Sequence, residues 1–231
     1  MTPVDIAGGY DQLADFWNSG DFPRDNGIAQ HARALAFLGH GQHALDIGCG
    51  SSGRVIDLLQ RHGLTVEGLD ISPRMIELAR RRHPEVTFHH ADICEWRPPR
   101  TYDFISAWDS FWHVPLSRQA SVLRKILHAL NQGGVCIFST GGLDEPNEKI
   151  DACMGPSMYY GTLGIPGMLG LISDTGCVCR HLEYDQYPEL HLYVVVQRAE
   201  ASPAGLHDIQ KRDRRIHGLG QHLEGEYDGD S

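Results

Sequence analysis

The chain has no apolar run approaching the ~18 residues that a membrane span needs, and it does not open on a charged-then-apolar leader. Cysteine is scarce: six thiols among 231 residues are scattered through apolar segments, which reads as reduced core thiols in a cytoplasmic protein rather than a disulfide framework. Positive charge is also short, with 20 Lys and Arg against 30 Asp and Glu, a formal charge of −10. Such a surface repels phosphate backbones, so nucleic acid is excluded as the expected partner. The histidines show no spacing of a zinc site, and no metal is expected. What is present is enough to build a core: 41% of residues are apolar and 8% aromatic, so one elaborated domain is expected.

From residue 44 onward, short apolar runs alternate with amphipathic helical patterns. Strands are predicted at 44–49, 65–71, 86–93, 102–108 and 135–139, with helices at 53–61, 73–83 and 117–130 between them. Ser72 supplies a helix N-cap oxygen and Pro73 fits the first helical position. The run Asn131-Gln132-Gly133-Gly134 is expected to stop the preceding helix. After a helix at 166–173, two further strands at 177–184 and 191–197 flank the turn-rich Asp185-Gln186-Tyr187-Pro188 and read as an antiparallel pair at the sheet edge. Alternation of this kind implies a mostly parallel sheet with helices on both faces, and ligands then bind at the carboxyl ends of its strands. Residues 1–43 read as an N-terminal helical lid, 44–200 as the principal domain and 201–231 as a polar, flexible tail. An insert at 141–164, rich in Gly, Met and Tyr, breaks the rhythm after strand five.

The segment Leu45-Asp46-Ile47-Gly48-Cys49-Gly50-Ser51-Ser52-Gly53 is the sharpest local signal. Its glycines let backbone pass close to a ligand, and the helix after it offers free N–H groups. The GxGxxG spacing alone fits a dinucleotide site equally well. Asp46 discriminates: a carboxylate there repels a pyrophosphate but suits a ligand carrying an ammonium group. Asp70 ends the second strand, where an acid about twenty residues past a glycine loop accepts ribose hydroxyls. Asp92 ends the third, placed to accept from an exocyclic amine. One acid at a strand end is an ordinary solvated cap; three on successive strands make that reading poor.

On these residues the chain resembles the class I S-adenosylmethionine-dependent methyltransferases, small-molecule branch. The resemblance runs from about residue 44 to 197 through LDIGCGSSG, EGLDIS, HADI, YDFISAWDS and the Leu-x-x-Gly-Gly turn. It implies a Rossmann-like, doubly wound α/β fold. The sheet would have seven mostly parallel strands and one antiparallel edge strand, the last strand in sequence being inserted antiparallel. N-terminal helices and an insert after strand five would complete it. It implies S-adenosylmethionine as cofactor, with Asp46 and the Gly48, Cys49 and Gly50 backbone on the methionine part. Asp70 would take the ribose, Ile71 and Met75 would pack on adenine, and Asp92 with the Ile93 amide would read its edge, Trp108 completing the cofactor set. The fourth strand ends in Asp109-Ser110-Phe111-Trp112, not the Asn-Pro-Pro-Tyr type of motif of enzymes that methylate amide or adenine nitrogens.

The expected partner is therefore a small-molecule methyl acceptor at O, N or S. Its pocket draws on Trp17, Phe111, Trp112, Met158, Tyr159 and Tyr160, for which plain core or lid packing is the competing reading. His113 is the candidate general base, since an unperturbed imidazole titrates near neutrality; capping of the loop at Val114-Pro115 is the alternative. Two other functions share the glycine loop: a nicotinamide-dependent oxidoreductase, opposed by Asp46, and a non-catalytic cofactor-binding regulatory module. Asp70 is expected to be solvated before the cofactor binds, so that its loss leaves the apo fold untouched.

Overall fold

A computed structural model describes residues 1–152 and 154–200. The tail expected from residue 201, and Cys153, lie outside the described residues. Helix α1 (Pro3–Asn18) starts where Thr2 and Asp5 form a reciprocal capping box with Pro3 in the first turn. It is followed by α2 (Ile28–Leu35), β1 (His43–Ile47), α3 (Arg54–Arg61), β2 (Thr65–Asp70), α4 (Pro73–Arg82) and β3 (Thr87–His90). Ser72 caps α4 as its sequence predicts, its hydroxyl accepting from the Met75 N–H at 3.0 Å. Then come β4 (Tyr102–Ala107), a short 3-10 turn (Phe111–His113), α5 (Leu116–His128), β5 (Leu130–Gly141), β6 (Asn147–Asp151), β7 (Met158–Thr162), α6 (Ile165–Asp174), β8 (Cys177–Tyr184) and β9 (His191–Arg198).

Seven strands form one sheet in the order β3-β2-β1-β4-β5-β9-β8. The pairs β3–β2, β2–β1, β1–β4 and β4–β5 are parallel, while β9 runs antiparallel to both β5 and β8. The one reversed strand is thus β9, one place in from the edge, with β8 outside it. The insert is a separate two-stranded hairpin, β6–β7. Two local expectations are corrected. Asn131 to Gly134 lie inside β5, because Leu130 pairs with Tyr102 and the extra residues are absorbed as an irregularity before Val135 meets Phe104. The third strand stops at His90, so Asp92 sits in the turn beyond it.

Alternation along each strand divides the core. Leu45, Ile47, Ile105, Cys136, Phe138 and Val194 pack under α5 and α6, whereas Ala44, Val66, Phe104, Ile137 and Tyr193 pack under α2, α3 and α4. Helices on both faces leave the carboxyl ends of β1, β2, β3 and β4 as the open edge, and α1 lies there against α4. Asp11 of α1 accepts from the Ser72 hydroxyl (2.6 Å) and the Arg74 N–H (3.2 Å), and Asn18 accepts from Arg82 (2.8 Å). Among the described residues no helix is long and apolar enough to cross a membrane.

Candidate active site

The glycine loop after β1 turns on Gly48, whose φ is +69°. A Cβ there would come within 2.3 Å of the Ser110 Cβ, so the close approach of the loop to the end of β4 admits only glycine. The Gly48 and Cys49 N–H groups both donate to the Leu69 carbonyl, tying the loop to β2. A cavity opens beside it, walled by Gly48, Cys49 and Gly50, by Asp70, Ile71 and Met75, and by Asp92, Ile93 and Cys94. The other side is closed by Pro3, Ile6, Tyr10 and Trp17 of α1 and by Trp108, Asp109, Ser110, Phe111 and His113.

Asp70 is the best-fixed group on that wall. Its two oxygens accept from the Gly50 N–H and the Ser72 N–H, each at 2.8 Å, and the residue is 8% exposed. Burial pushes its carboxyl up, and the backbone donors at Ser72, Gly50 and Ile71 pull it back down. The expectation of a solvated acid with no partners is overturned: the buried Ser72 N–H and the half-buried Gly50 N–H both depend on it. Each carboxylate oxygen keeps a further lone pair that can accept from hydroxyls in the cavity. Asp92 holds the next turn by accepting from the Cys94 N–H at 2.8 Å. Met75 is buried on the cavity floor, while Ile71 and Ile93 are half-buried on its walls.

Asp46 does not share that wall. It follows Ala44 onto the α2–α3 face of β1 and is 3% exposed. Burial raises its carboxyl to about 7, opposed by a hydrogen bond from Ser106 and by the Arg54 charge. Ser106 in turn meets His31 Nε2 at 2.9 Å. Asp46 thus sits buried beneath the loop and is not part of the cavity lining.

The expected acceptor residues divide into three groups. Trp17, Trp108 and Phe111 line the inner cavity with His113. Trp112 and Tyr160 line a second, outer cavity between the β6–β7 hairpin and the start of β9. Met158 and Tyr159 line neither. Met158 is fully buried beneath Gly9 of α1, and the Tyr159 hydroxyl turns outward to donate to Glu148 (2.7 Å) while accepting from the Leu116 N–H (2.7 Å). Both are corrections to the pocket: Met158 is covered by α1, and Tyr159, on the other face of β7, is taken up by Glu148 and Leu116.

His113 is buried, and burial lowers its pKa to about 4 against the pull of the Tyr159 carbonyl and Asp109. Its Nδ1–H donates to the Tyr159 carbonyl at 2.7 Å, which fixes the neutral tautomer with its lone pair on Nε2. That lone pair faces two donors, the Tyr10 hydroxyl at 2.7 Å and the Trp112 indole N–H at 3.0 Å. The ring is thus a fixed hydrogen-bond acceptor that orients Tyr10 and Trp112, a different role from that of a base titrating near neutrality.

Three polar residues on this side escape a reading of the sequence: Tyr10, Asn26 and Asp109. Asp109 is the one non-glycine described residue with positive φ, 51°, and its N–H donates to the Ser139 hydroxyl at 2.7 Å. Its carboxylate accepts from Asn26 Nδ2 (3.1 Å) and meets His191 Nε2 (3.0 Å). Asn26 also accepts from the Trp108 indole N–H (3.2 Å). One signal for Asp109 is that it follows a strand end as Asp70 and Asp92 do; no signal joins it to His191, 82 residues on.

A methyltransferase family model, described as "Methyltransferase domain", matches residues 44–134. Trans-aconitate 2-methyltransferase of Rhizobium etli is 31% identical over 112 residues, 48% of this chain and 43% of that protein. The Methylobacterium radiotolerans enzyme of the same name is 33% identical over 132 residues, 55% and 49% respectively. The chain spans about half the length of the curated relatives it matches. Among solved structures, a Burkholderia thailandensis 1,6-didemethyltoxoflavin-N1-methyltransferase superposes with a TM-score of 0.68 at 16% identity, covering 87% of this chain and 92% of that one. An S-adenosylmethionine-dependent methyltransferase from Clostridium acetobutylicum gives 0.64 at 11% identity, covering 83% and 99%. The fold is the Rossmann-like fold shared by these methyltransferases. More narrowly, residues 44–134 match a methyltransferase domain model, and the sheet that carries them has the fold of S-adenosylmethionine-dependent methyltransferases of known structure.

Proposed function

We propose that the chain transfers a methyl group from S-adenosylmethionine to a small-molecule acceptor by in-line displacement. The observation that carries this reading is the cavity at the ends of β1, β2 and β3. There a glycine loop passes close enough for backbone contact, and Asp70 is preorganised by the Gly50 and Ser72 N–H groups. When bound, S-adenosylmethionine supplies a methyl group already activated by its sulfonium. Asp70 accepts from the ribose hydroxyls. Ile71, Met75 and Ile93 enclose the adenine, and the free oxygen of Asp92 accepts from its exocyclic amine. The Gly48–Gly50 backbone carries the methionine part above the buried Asp46. Trp17, Tyr10 and Trp108 exclude water and hold donor and acceptor in line, where proximity contributes several kcal/mol. His113 acts through Tyr10 and Trp112, as a positioning residue. The acceptor atom is O, N or S. The free thiols among the described residues, Cys49, Cys94, Cys136, Cys177 and Cys179, suit the reducing cytoplasm that this reading assumes.

The relatives named for trans-aconitate support a small-molecule acceptor. The test is incubation with methyl-labelled S-adenosylmethionine and the small-molecule fraction of a cell extract. Label in a metabolite, matched by S-adenosylhomocysteine formed, is the expected result. Tight S-adenosylhomocysteine binding without transfer to any metabolite would instead make the chain a non-catalytic binding module.

A further inference from the structure

The inner cavity carries an unbalanced set of charges. Three carboxylates, Asp70, Asp92 and Asp109, stand on its wall against one guanidinium, Arg54. Asp70 and Asp92 belong to the cofactor end in the proposed function, and Asp109 follows β4, beside Trp108 and Ser110. Arg54 gives two N–H groups to neutral acceptors: its Nε donates to the Asn26 carbonyl and its Nη1 to the Ser52 hydroxyl, each at 2.8 Å. Its plane also stacks over Phe22, 4.9 Å from the ring centroid. The outer cavity adds little positive charge, since Lys149 is paired with Asp151 at 2.7 Å and Glu148 and Glu189 share its wall.

Asp109 is held with unusual care for a loop acid. Its backbone occupies the left-handed region, which residues other than Gly, Asn and Asp rarely enter, and the Ser139 hydroxyl fixes its N–H. Asn26 holds one carboxylate oxygen and His191 the other. Behind His191, Asp185 meets Nδ1 at 2.5 Å and is itself fixed by Gln30 Nε2 at 2.7 Å. Burial works against charge on His191, but hydrogen bonds and the charges of Asp109 and Asp185 outweigh it and hold the ring above its ordinary range. Two carboxyl groups thus flank one imidazole ring, and the chain Asp185–His191–Asp109 ends at the cavity on the Asp109 carboxyl group.

We propose that Asp109 is the acceptor-binding acid of the methyl-transfer site, and that the acceptor presents it with an N–H or O–H group rather than a carboxylate. This rests on the methyltransferase reading above. The X–H group donates to Asp109, which aims the remaining lone pair of X at the methyl carbon. The new X–C bond forms as the C–S bond breaks, its electron pair staying on sulfur. The proton released from X passes to Asp109 and leaves to solvent with the product. A polycarboxylate such as trans-aconitate has no proton to give at neutral pH, and would set its negative charge against Asp109.

The acceptor need not be identified for the test to decide. Methyl label transferred to the small-molecule extract is treated with mild alkali, which releases methanol from methyl esters and leaves N-methyl and ether O-methyl groups intact. Label stable to alkali is expected, and volatile label would overturn the proposal while leaving the methyltransferase reading standing. The same acceptor fraction is then offered to Asp109→Asn, a variant whose side chain tolerates the left-handed backbone and so preserves the fold. Its kcat/KM for the acceptor should fall at least tenfold, while its S-adenosylhomocysteine dissociation constant by calorimetry stays within threefold of wild type. His191→Gln should show a smaller loss of the same kind. Unchanged kcat/KM in Asp109→Asn, or loss of S-adenosylhomocysteine binding, would remove Asp109 from the acceptor site.

Discussion

At the scale of single residues, the site is built from acids whose partners decide their roles. Asp70 supports two backbone N–H groups as well as facing the cavity, so Asp70→Ala carries two costs. Orphaned buried donors cost about 1–3 kcal/mol each, and the apo protein should lose on the order of 2 kcal/mol or more in urea denaturation. Losing charge-assisted bonds to both ribose hydroxyls should also weaken S-adenosylhomocysteine by roughly 100-fold in calorimetry. An apo protein of unchanged stability would contradict the geometry, and an unchanged affinity would contradict the ribose assignment. Asp46 gives a pH prediction. Its carboxyl, raised by burial to about 7, lies above the unfolded value of 3.8. Between these values the folded state binds more protons, so its contribution to stability is full below about pH 4 and is lost as pH rises through about 7. His31 and His113, both lowered to about 4, act in the opposite direction. The comparison must therefore be with Asp46→Asn: the variant should gain stability relative to wild type between about pH 5 and pH 8. An equal difference at both pH values would show Asp46 to be ionised throughout.

At the scale of elements, the glycine loop and α1 set the shape of the cavity. Gly48→Ala forces a side chain into a left-handed backbone, costing about 1–2 kcal/mol, and drives its Cβ onto Ser110. The loop must then move away from β4, so a lowered melting temperature and weakened S-adenosylhomocysteine binding are expected together; a loss of neither would refute the close approach. Helix α1 is legible from sequence as an aromatic helix outside the sheet pattern, but its contacts are not. Pro3, Ile6, Tyr10 and Trp17 face the same cavity as the glycine loop, and Asp11 braces the N-terminus of α4. Deletion of residues 1–20 should therefore reduce turnover and also loosen the cofactor. Steady-state kinetics beside calorimetry on the truncated protein decides it, and unchanged turnover would refute closure by this helix.

At the scale of the whole molecule, the strand–helix rhythm from residue 44 makes the doubly wound sheet legible, because each buried strand is a short apolar run bounded by turn residues. The wall of the inner cavity is legible for the same reason: Gly48 and Asp70 sit at strand ends, which periodicity locates, and Asp92 lies in the turn just past one. Asp46 departs from its expected place because its neighbours give its strand but not which face of the sheet receives it. The acceptor side is least legible. Asp109, His191 and Asp185 come together only once β9 is inserted beside β5, and the aromatic hairpin residues face where β7 alternation sends them. The central claim is that the cavity at the ends of β1, β2 and β3 is an S-adenosyl site, and thermal melting with S-adenosylhomocysteine beside NADH tests it directly. At a hundred times its dissociation constant a ligand stabilises by about 2.7 kcal/mol, which for a chain of this size raises the melting temperature by roughly 5–10 °C. That shift with S-adenosylhomocysteine, and none with NADH, is the predicted result; the larger response to NADH would contradict the account.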